Sequence, residues 1–140
     1  MRFILIVAAA ALVLGCGSSS PSPVFTSVDG TWTYTTPDKT ISVDFELKTT
    51  SGGTLEILTS TIKVNNVQGQ AAGQLNGVSL PNINEIKVNA NDVGLVYPYY
   101  ISFVNCTVNA GFTQITTTGA EYTYPWGTTK SLTSVTITRK

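Results

Sequence analysis

The sequence predicts an all-β fold: a small antiparallel β-barrel of about eight strands or, as the alternative, a Greek-key β-sandwich. From Phe25 onward the chain is rich in Thr, Val, Ile and Tyr, which suit the pleated surface of a sheet. Several short segments alternate apolar and polar residues, and none carries the 3.6-residue period of an amphipathic helix. Turn residues separate these segments at the short intervals typical of barrels and sandwiches.

The first two strands are indicated by alternation. The first begins at Gly30, and Trp32 and Tyr34 share one of its faces. Residues 40–50 form the second strand, in which every second side chain is apolar, so that one face is buried and the other is in water. The apolar side chains of this strand are Ile41, Val43, Phe45 and Leu47.

A tight hairpin leads from the second strand into the third. Residues 51–53, Ser-Gly-Gly, can adopt the positive φ angles that such a turn needs, and residues 54–64 return as a strand. The apolar positions of this strand change parity at Leu58, which predicts a β-bulge there. Residues 65–66, both Asn, form the next turn.

The middle of the domain carries weaker strand signals. Residues 67–75 are predicted as a weak strand, and Asn76-Gly77 is a strong signal for a hairpin turn. Residues 83–89 alternate again, with Ile86 and Val88 on one face.

The C-terminal third contains four predicted strands. Residues 97–110 form a long apolar strand, and residues 112–118 and 121–124 form two short ones. Residues 125–127, Pro-Trp-Gly, make a turn, and residues 130–139 close the chain as the last strand.

The N-terminal residues have the layout of a signal peptide, with Arg2 followed by the apolar residues 3–14. A membrane-spanning helix needs about 20 apolar residues, so this run is too short to remain as an anchor. Residues 13–16, Val-Leu-Gly-Cys, resemble the bacterial lipobox, which is cleaved before a cysteine that receives a diacylglycerol. The resemblance implies cleavage between Gly15 and Cys16. An ordinary secretory signal that ends near a cysteine is the alternative.

The lipobox resemblance implies an exported bacterial lipoprotein whose chain has three parts. Residues 1–15 are the signal peptide, residues 16–24 are the lipidated cysteine and a flexible polar tether, and residues 25–140 are one all-β domain. Acyl chains such as palmitate on Cys16 would hold the protein on a membrane of the cell envelope. Because Gly17 rather than Asp follows the cysteine, the pattern resembles outer-membrane lipoproteins that face the periplasm.

The composition speaks against several classes of function. After loss of Arg2 the chain has seven basic and eight acidic residues and no run of like charge, so a nucleic-acid partner is not expected. The chain has no histidine to activate a nucleophile, and Cys106 is predicted to be a buried apolar thiol. Ser60 and Lys63 have the S-x-x-K spacing of some serine enzymes, but a strand places them on opposite faces. The sequence predicts no enzyme, no catalytic residue, no cofactor and no metal site.

Aromatic residues are concentrated late in the domain. Planar rings with polar tips are surfaces on which sugars and apolar ligands stack, so these residues are candidate ligand or glycan contacts. Packing in the core and across strands is the alternative. The candidates are Tyr97, Tyr99, Tyr100, Tyr122, Tyr124 and Trp126.

A further pattern links the two ends of the domain. Gly30-Thr31-Trp32 opens the first strand, and Arg139 shares its parity with Val135 and Ile137 on the last. This arrangement resembles the lipocalin-like (calycin-type) families, whose first strand opens with G-x-W and whose last strand brings a basic residue across that Trp. The resemblance implies that Trp32 and Arg139 pack together as a structural closure, through a cation–π contact of about 0.5–2 kcal/mol. A frayed C-terminus with a solvated Arg139 is the alternative.

The lipocalin-like resemblance implies a cup that holds one small apolar ligand without covalent chemistry, and at this length the cup would be shallow or filled. The rival hypothesis is a β-sandwich that acts as an interaction, glycan-binding or adhesion module. A small enzyme inhibitor or an envelope assembly factor is a third.

Overall fold

A computed structural model describes residues 24–90, 99–124 and 127–140. The elements in these ranges are β-strands, and none of the described residues belongs to a helix that could cross a membrane. The strands are β1 (Gly30–Thr35), β2 (Ile41–Thr49), β3 (Leu55–Val64), β4 (Val67–Ser79), β5 (Asn82–Ala90), β6 (Tyr99–Val108), β7 (Gln114–Thr116), β8 (Gly119–Tyr124), β9 (Thr128–Thr133) and β10 (Thr136–Arg139).

The strands form a closed antiparallel barrel of eight strands, with β8 and β9 as two extra strands. Consecutive strands pair from β1 to β6, and β7 and β10 complete the ring between β6 and β1. β8 pairs with a part of β6 that β7 does not reach, and β9 pairs with β8, so these two strands form a hairpin attached to the side of the ring. The predicted all-β barrel is confirmed. The sandwich alternative is wrong, because the first strand pairs with the last and the sheet closes.

We name the two ends of the barrel by the strand ends and turns that lie there. At the lower end β1 begins, β10 ends and the β4–β5 turn lies. At the upper end lie residues 36–40, which join β1 to β2, and residues 65–66, which join β3 to β4. Residues 24–29 lead into β1 at the lower end.

Two local features that the sequence predicts are confirmed. Glu46 pairs with Thr59 and Leu47 with Ile57, so Leu58 is an extra residue in β3 and its side chain is 56% exposed. This is the predicted bulge. The φ angles of the two residues at positions 65–66 are 47° and 69°, as the predicted tight turn requires.

Three predicted boundaries are wrong. Asn76-Gly77 lies inside β4 rather than at a hairpin turn, and the chain reverses at Leu80-Pro81, across a cis peptide bond. The predicted last strand, residues 130–139, is divided into β9 and β10 at Ser134, whose φ is 52°. The predicted strand at residues 112–118 shortens to β7, because the chain is still turning at residue 112, where φ is 51°.

Large apolar side chains fill the interior in the described part of the chain. Trp32, Phe45 and Phe103 are at most 1% exposed, and the ring of Tyr34 meets that of Phe103 edge to face, with centroids 5.2 Å apart. The smaller side chains buried among them include Ile41, Leu47, Ile62, Ile83, Ile86, Ile101, Ile115 and Ile137. The middle of the barrel is therefore a packed core.

β3 and β4 separate toward the lower end. They pair from Val64 with Val67 as far as Ser60 with Ala71, and below this point β4 is paired with β5 alone. The side chain of Ile57 packs on β4 at one point of this gap: a Cβ added at Gly73 would lie 2.8 Å from the Ile57 Cβ. Residues 72–79 thus present a sheet edge to solvent.

Candidate functional site

The lower end of the barrel is closed by Trp32 and the segment before β1. Trp32 is 0% exposed, and its indole Nε1 donates a hydrogen bond of 3.0 Å to the carbonyl oxygen of Val28. Val28 is itself buried, at 2% exposure. This bond folds residues 28–32 across the bottom of the core and leaves no indole donor unsatisfied.

Arg139 packs against two aromatic rings at this end. β10 places it directly opposite Trp32, with its Cζ 5.8 Å from the Trp32 ring centroid. Its Cζ lies closer to Phe25, at 3.8 Å from the ring centroid. The structure therefore brings the two predicted closure residues together and adds Phe25, which sequence reasoning missed. No strand periodicity indicates where Phe25 lies, since it precedes β1.

Hydrogen bonds hold the Arg139 guanidinium in place. Its Nη1 donates to the carbonyl oxygens of Ser27, at 2.6 Å, and Phe112, at 3.3 Å. Its Nη2 donates to the carbonyl oxygen of Asp29. The next backbone amide, that of Lys140, donates to the β1 strand at 2.9 Å. The C-terminus is therefore tied to the barrel, which contradicts the frayed alternative.

Gly30 makes room for this guanidinium. Its φ is 141°, and a Cβ added there would lie 2.6 Å from Nη2 and 2.9 Å from Nε of Arg139. A side chain at position 30 would displace the arginine. This contact is the physical reason why the G-x-W pattern begins with glycine in this chain.

The Asp29 carboxylate ties the entry segment to the end of β2. Its Oδ1 accepts hydrogen bonds from the Thr49 amide, at 2.9 Å, and the Thr49 hydroxyl, at 2.6 Å, and its Oδ2 lies 3.2 Å from Lys48 Nζ. The Thr49 hydroxyl bond lowers the pKa of Asp29, with Lys48 acting in the same direction. Hydrogen bonds and one ion pair thus join the segment before β1 to the ends of β2 and β10 at the lower end.

The upper end is lined by tyrosines that face the interior. Tyr34, Tyr99 and Tyr122 are 8%, 7% and 1% exposed. Tyr100 lies on the outer face, half-buried, with Lys87 Nζ 5.2 Å from its ring centroid. Of the predicted aromatic contacts whose side chains the structure describes, Tyr99 and Tyr122 face the core, and Tyr100 lies on the outer face.

The remaining aromatic candidates lie at the margins of the described chain. Tyr124 is the last residue of β8. Tyr97 and Trp126 lie outside the described residues, as do Gly15 and Cys16, the predicted cleavage and lipidation residues.

Asp38 lies at the upper end, in the segment that joins β1 to β2. Its Oδ1 accepts hydrogen bonds of 2.7 Å from the hydroxyls of Thr36 and Thr40. Its Oδ2 faces Lys130 Nζ at 3.4 Å and the Tyr122 hydroxyl at 3.5 Å. The Thr36 bond, followed by those of Thr40 and Lys130, holds the pKa of Asp38 well below its usual range.

We expect Asp38 to contribute stability that is lost in acid. Because its pKa is lower in the folded chain than in the unfolded one, its contribution is present above the unfolded pKa of about 3.9 and disappears as the pH falls. The free energy of unfolding is measured with urea at several pH values. As the pH falls below ~4, it should decrease less in Asp38→Asn than in the wild type. Glu56→Gln, at an exposed position of β3, is the control. Identical pH slopes for wild type and Asp38→Asn would contradict the prediction.

Cys106 is a buried thiol, as the sequence predicts. It is 1% exposed, and its Sγ donates to the Phe103 carbonyl oxygen at 3.4 Å. Burial raises its pKa to about 12, so the thiol stays protonated. Val104 and Asn105 both lie on the outer face between the inward-facing Phe103 and Cys106, because Asn105 has a φ of 50° and interrupts the alternation of β6.

The described residues bring together no group of three or more acidic or cysteine side chains that could hold a metal ion. Ser60 is buried and donates to the Ala71 carbonyl oxygen at 2.7 Å, whereas Lys63 is exposed. The two residues of the S-x-x-K match thus lie on opposite faces of β3.

Comparison of the chain with protein-family models, curated proteins and solved structures finds no match. The resemblance of Gly30, Trp32 and Arg139 to the lipocalin-like pattern, and that of residues 13–16 to the lipobox, therefore stay predictions from the sequence.

Proposed function

We propose that this chain is a lipid-anchored lipoprotein of the bacterial cell envelope whose barrel binds a small apolar ligand without catalysis. Acyl chains on Cys16 would anchor it in the outer membrane, facing the periplasm. The observation that supports binding is the difference between the two ends. The lower end is closed by Trp32 and Arg139, and the upper end presents inward-facing tyrosines.

The ligand would sit at the upper end rather than in the middle of the barrel. The central side chains are packed to near-zero exposure, whereas Tyr34 and Tyr99 keep 8% and 7% of their surface accessible. Their rings offer an apolar face, and their hydroxyls offer polar contacts that orient a ligand. Burial raises the pKa of Tyr34, and Tyr122 and Asp38 act in the same direction, so its hydroxyl remains a hydrogen-bond donor at neutral pH.

The test begins with compounds that copurify with the domain, identified by mass spectrometry, and uses their displacement of the fluorescent apolar probe ANS. Tyr99→Ala should weaken probe and ligand binding roughly twofold to tenfold, the loss expected for one aromatic contact. Tyr100→Ala, on the outer face, is the matched control and should bind normally. Equal binding by both variants would contradict a ligand seat among the inward tyrosines.

A second candidate is an interaction module, favoured by the free edge of β4. Residues 72–79 contain no charged residue and no proline, the usual protections of an exposed edge, and Val78 is 38% exposed. A partner strand would add to this edge by backbone hydrogen bonds. Amide hydrogen exchange separates the candidates: a ligand at the upper end would protect Tyr34 and its neighbours, and strand addition would protect residues 72–79.

A further inference from the structure

An apolar groove of about 360 Å³ opens at the lower end of the barrel. It lies between the β4–β5 turn and the loop after β6, which are joined by a hydrogen bond of 2.8 Å from the Val108 amide to the Pro81 carbonyl oxygen. Leu80 at its rim is 48% exposed. None of the residues that line it is charged, and all but Asn109 are apolar: Leu80, Pro81, Val108, Asn109, Ala110 and Phe112.

This groove adjoins the segment through which the chain leaves the barrel toward Cys16. The carbonyl oxygen of Phe112 accepts a hydrogen bond from Arg139, and Arg139 in turn stacks on Phe25. Val24, the next residue toward the N-terminus, is 89% exposed. The groove and the exit of the chain are therefore parts of one surface.

The length of the chain between Cys16 and Val24 favours one end of the barrel for contact with a membrane that holds Cys16. Eight residue-to-residue steps lead from Cys16 to Val24 and span at most ~28 Å when fully extended. The upper end lies a further strand length away, roughly 25 Å for tilted strands of nine or ten residues. Only an almost fully extended tether could therefore let the upper end touch the same bilayer. The lower end can meet the bilayer at any extension of the tether, which favours the lower end as the contact.

We infer that the lower-end groove rests on the bilayer, in the boundary between headgroups and acyl chains, so that the barrel stands on its closed end. The inference depends on the lipid anchor of the proposed function. The groove offers lipid an uncharged apolar surface, and the nearby Asp29 is paired with Lys48. This orientation directs the tyrosine-lined upper end away from the membrane, toward soluble ligands.

The experiment uses the full-length acylated protein in vesicles of phosphatidylethanolamine and phosphatidylglycerol. Leu80→Cys carries an environment-sensitive fluorophore, and Gln68→Cys, exposed near the upper end of β4, is the matched control. The native Cys106 is 1% exposed and escapes labelling in the folded chain. On vesicles the probe at position 80 should shift its emission to shorter wavelength, lose quenching by iodide and gain quenching by a lipid-borne quencher. The probe at position 68 should show none of these changes.

The possible outcomes separate the inference from the proposed function. If the wild type carries no acyl chain and does not bind vesicles, the lipoprotein proposal fails and the orientation fails with it. If the protein is acylated and anchored but the probe at position 80 behaves like the one at position 68, only the orientation is overturned. Shielding at position 80 that appears in detergent without vesicles and grows with protein concentration would assign the groove to a second copy of the chain, which also overturns the inference.

Discussion

Replacing Cys16 by serine is expected to abolish the incorporation of radiolabelled palmitate and to move the protein from the membrane fraction to the soluble one. Serine lacks the sulfur that receives the diacylglycerol. Each buried methylene of an acyl chain contributes about 0.8 kcal/mol, and stable anchoring takes about two chains, so loss of the acylated cysteine removes nearly all of the membrane affinity. Without these chains the groove at Leu80 offers too little apolar surface to keep the protein on a bilayer.

Cys106→Ser is the control for this experiment, because the second cysteine of the chain is buried and should not be labelled in either protein. Cys106→Ser should therefore keep full palmitate incorporation. Equal labelling of Cys16→Ser and the wild type would end the lipoprotein hypothesis. If protease added to intact cells digests the protein, the proposed lipid anchor still stands, but the proposed location on the periplasmic side of the outer membrane is wrong.

The parts of the fold that follow from local pattern were predictable. In β2, alternate positions are apolar from Ile41 to Leu47, and a one-residue shift would turn all of them into water, so both strand and register are strongly specified. The change of parity at Leu58 marks the bulge for the same reason. At residues 65–66 the Asn side chains tolerate the positive φ that the turn needs.

The errors occur where contacts between strands override a local signal. Asn76-Gly77 is a good hairpin sequence, yet Asn76 pairs with Glu85 inside a ladder, and the Asn84 side chain packs over Gly77, with its Cβ 2.9 Å from where a Gly77 Cβ would lie. The glycine serves close packing rather than chain reversal. The reversal falls at Leu80-Pro81, which carries no comparable turn signal.

The closure at the lower end was predictable only in part. Trp32 and Arg139 could be paired through the resemblance to lipocalin-like families, since the alternation of neither strand by itself indicates that they meet. Phe25 and the carbonyl acceptors lie in loops, where no periodicity tells which side chain points inward. In β6 the alternation is interrupted at Asn105, whose φ is 50°, so that Phe103 and Cys106 both face the core.

Replacing Trp32 by alanine is expected to lower the free energy of unfolding by about 3–5 kcal/mol, the usual cost of removing a buried indole. Trp32 is fully buried, and its Nε1 bond to Val28 holds the entry segment across the core. Trp32→Phe should recover most of the lost packing but not this bond. Urea unfolding of the domain measures all three proteins, and a loss below about 1 kcal/mol for Trp32→Ala would show that the lower end carries little of the stability.

The contribution of Arg139 to the free energy of unfolding should depend more on Phe25 and on the backbone carbonyl oxygens it binds than on Trp32. Its Cζ lies 3.8 Å from the Phe25 centroid but 5.8 Å from that of Trp32, close to the limit of about 6 Å for a cation–π contact. A double-mutant cycle should therefore give a coupling of about 0.5–2 kcal/mol between Arg139 and Phe25, and a smaller one between Arg139 and Trp32.

Arg139→Lys separates charge from geometry in this closure. Lysine keeps the positive charge, but a single ammonium cannot reproduce the planar fork that donates to Ser27, Asp29 and Phe112 together. We therefore expect Arg139→Lys to lose most of what Arg139→Ala loses, about 1–3 kcal/mol. Strictly additive losses in both cycles, with Arg139→Ala near zero, would mean that the last strand is held by its backbone alone. The arginine would then have no part in closing the barrel.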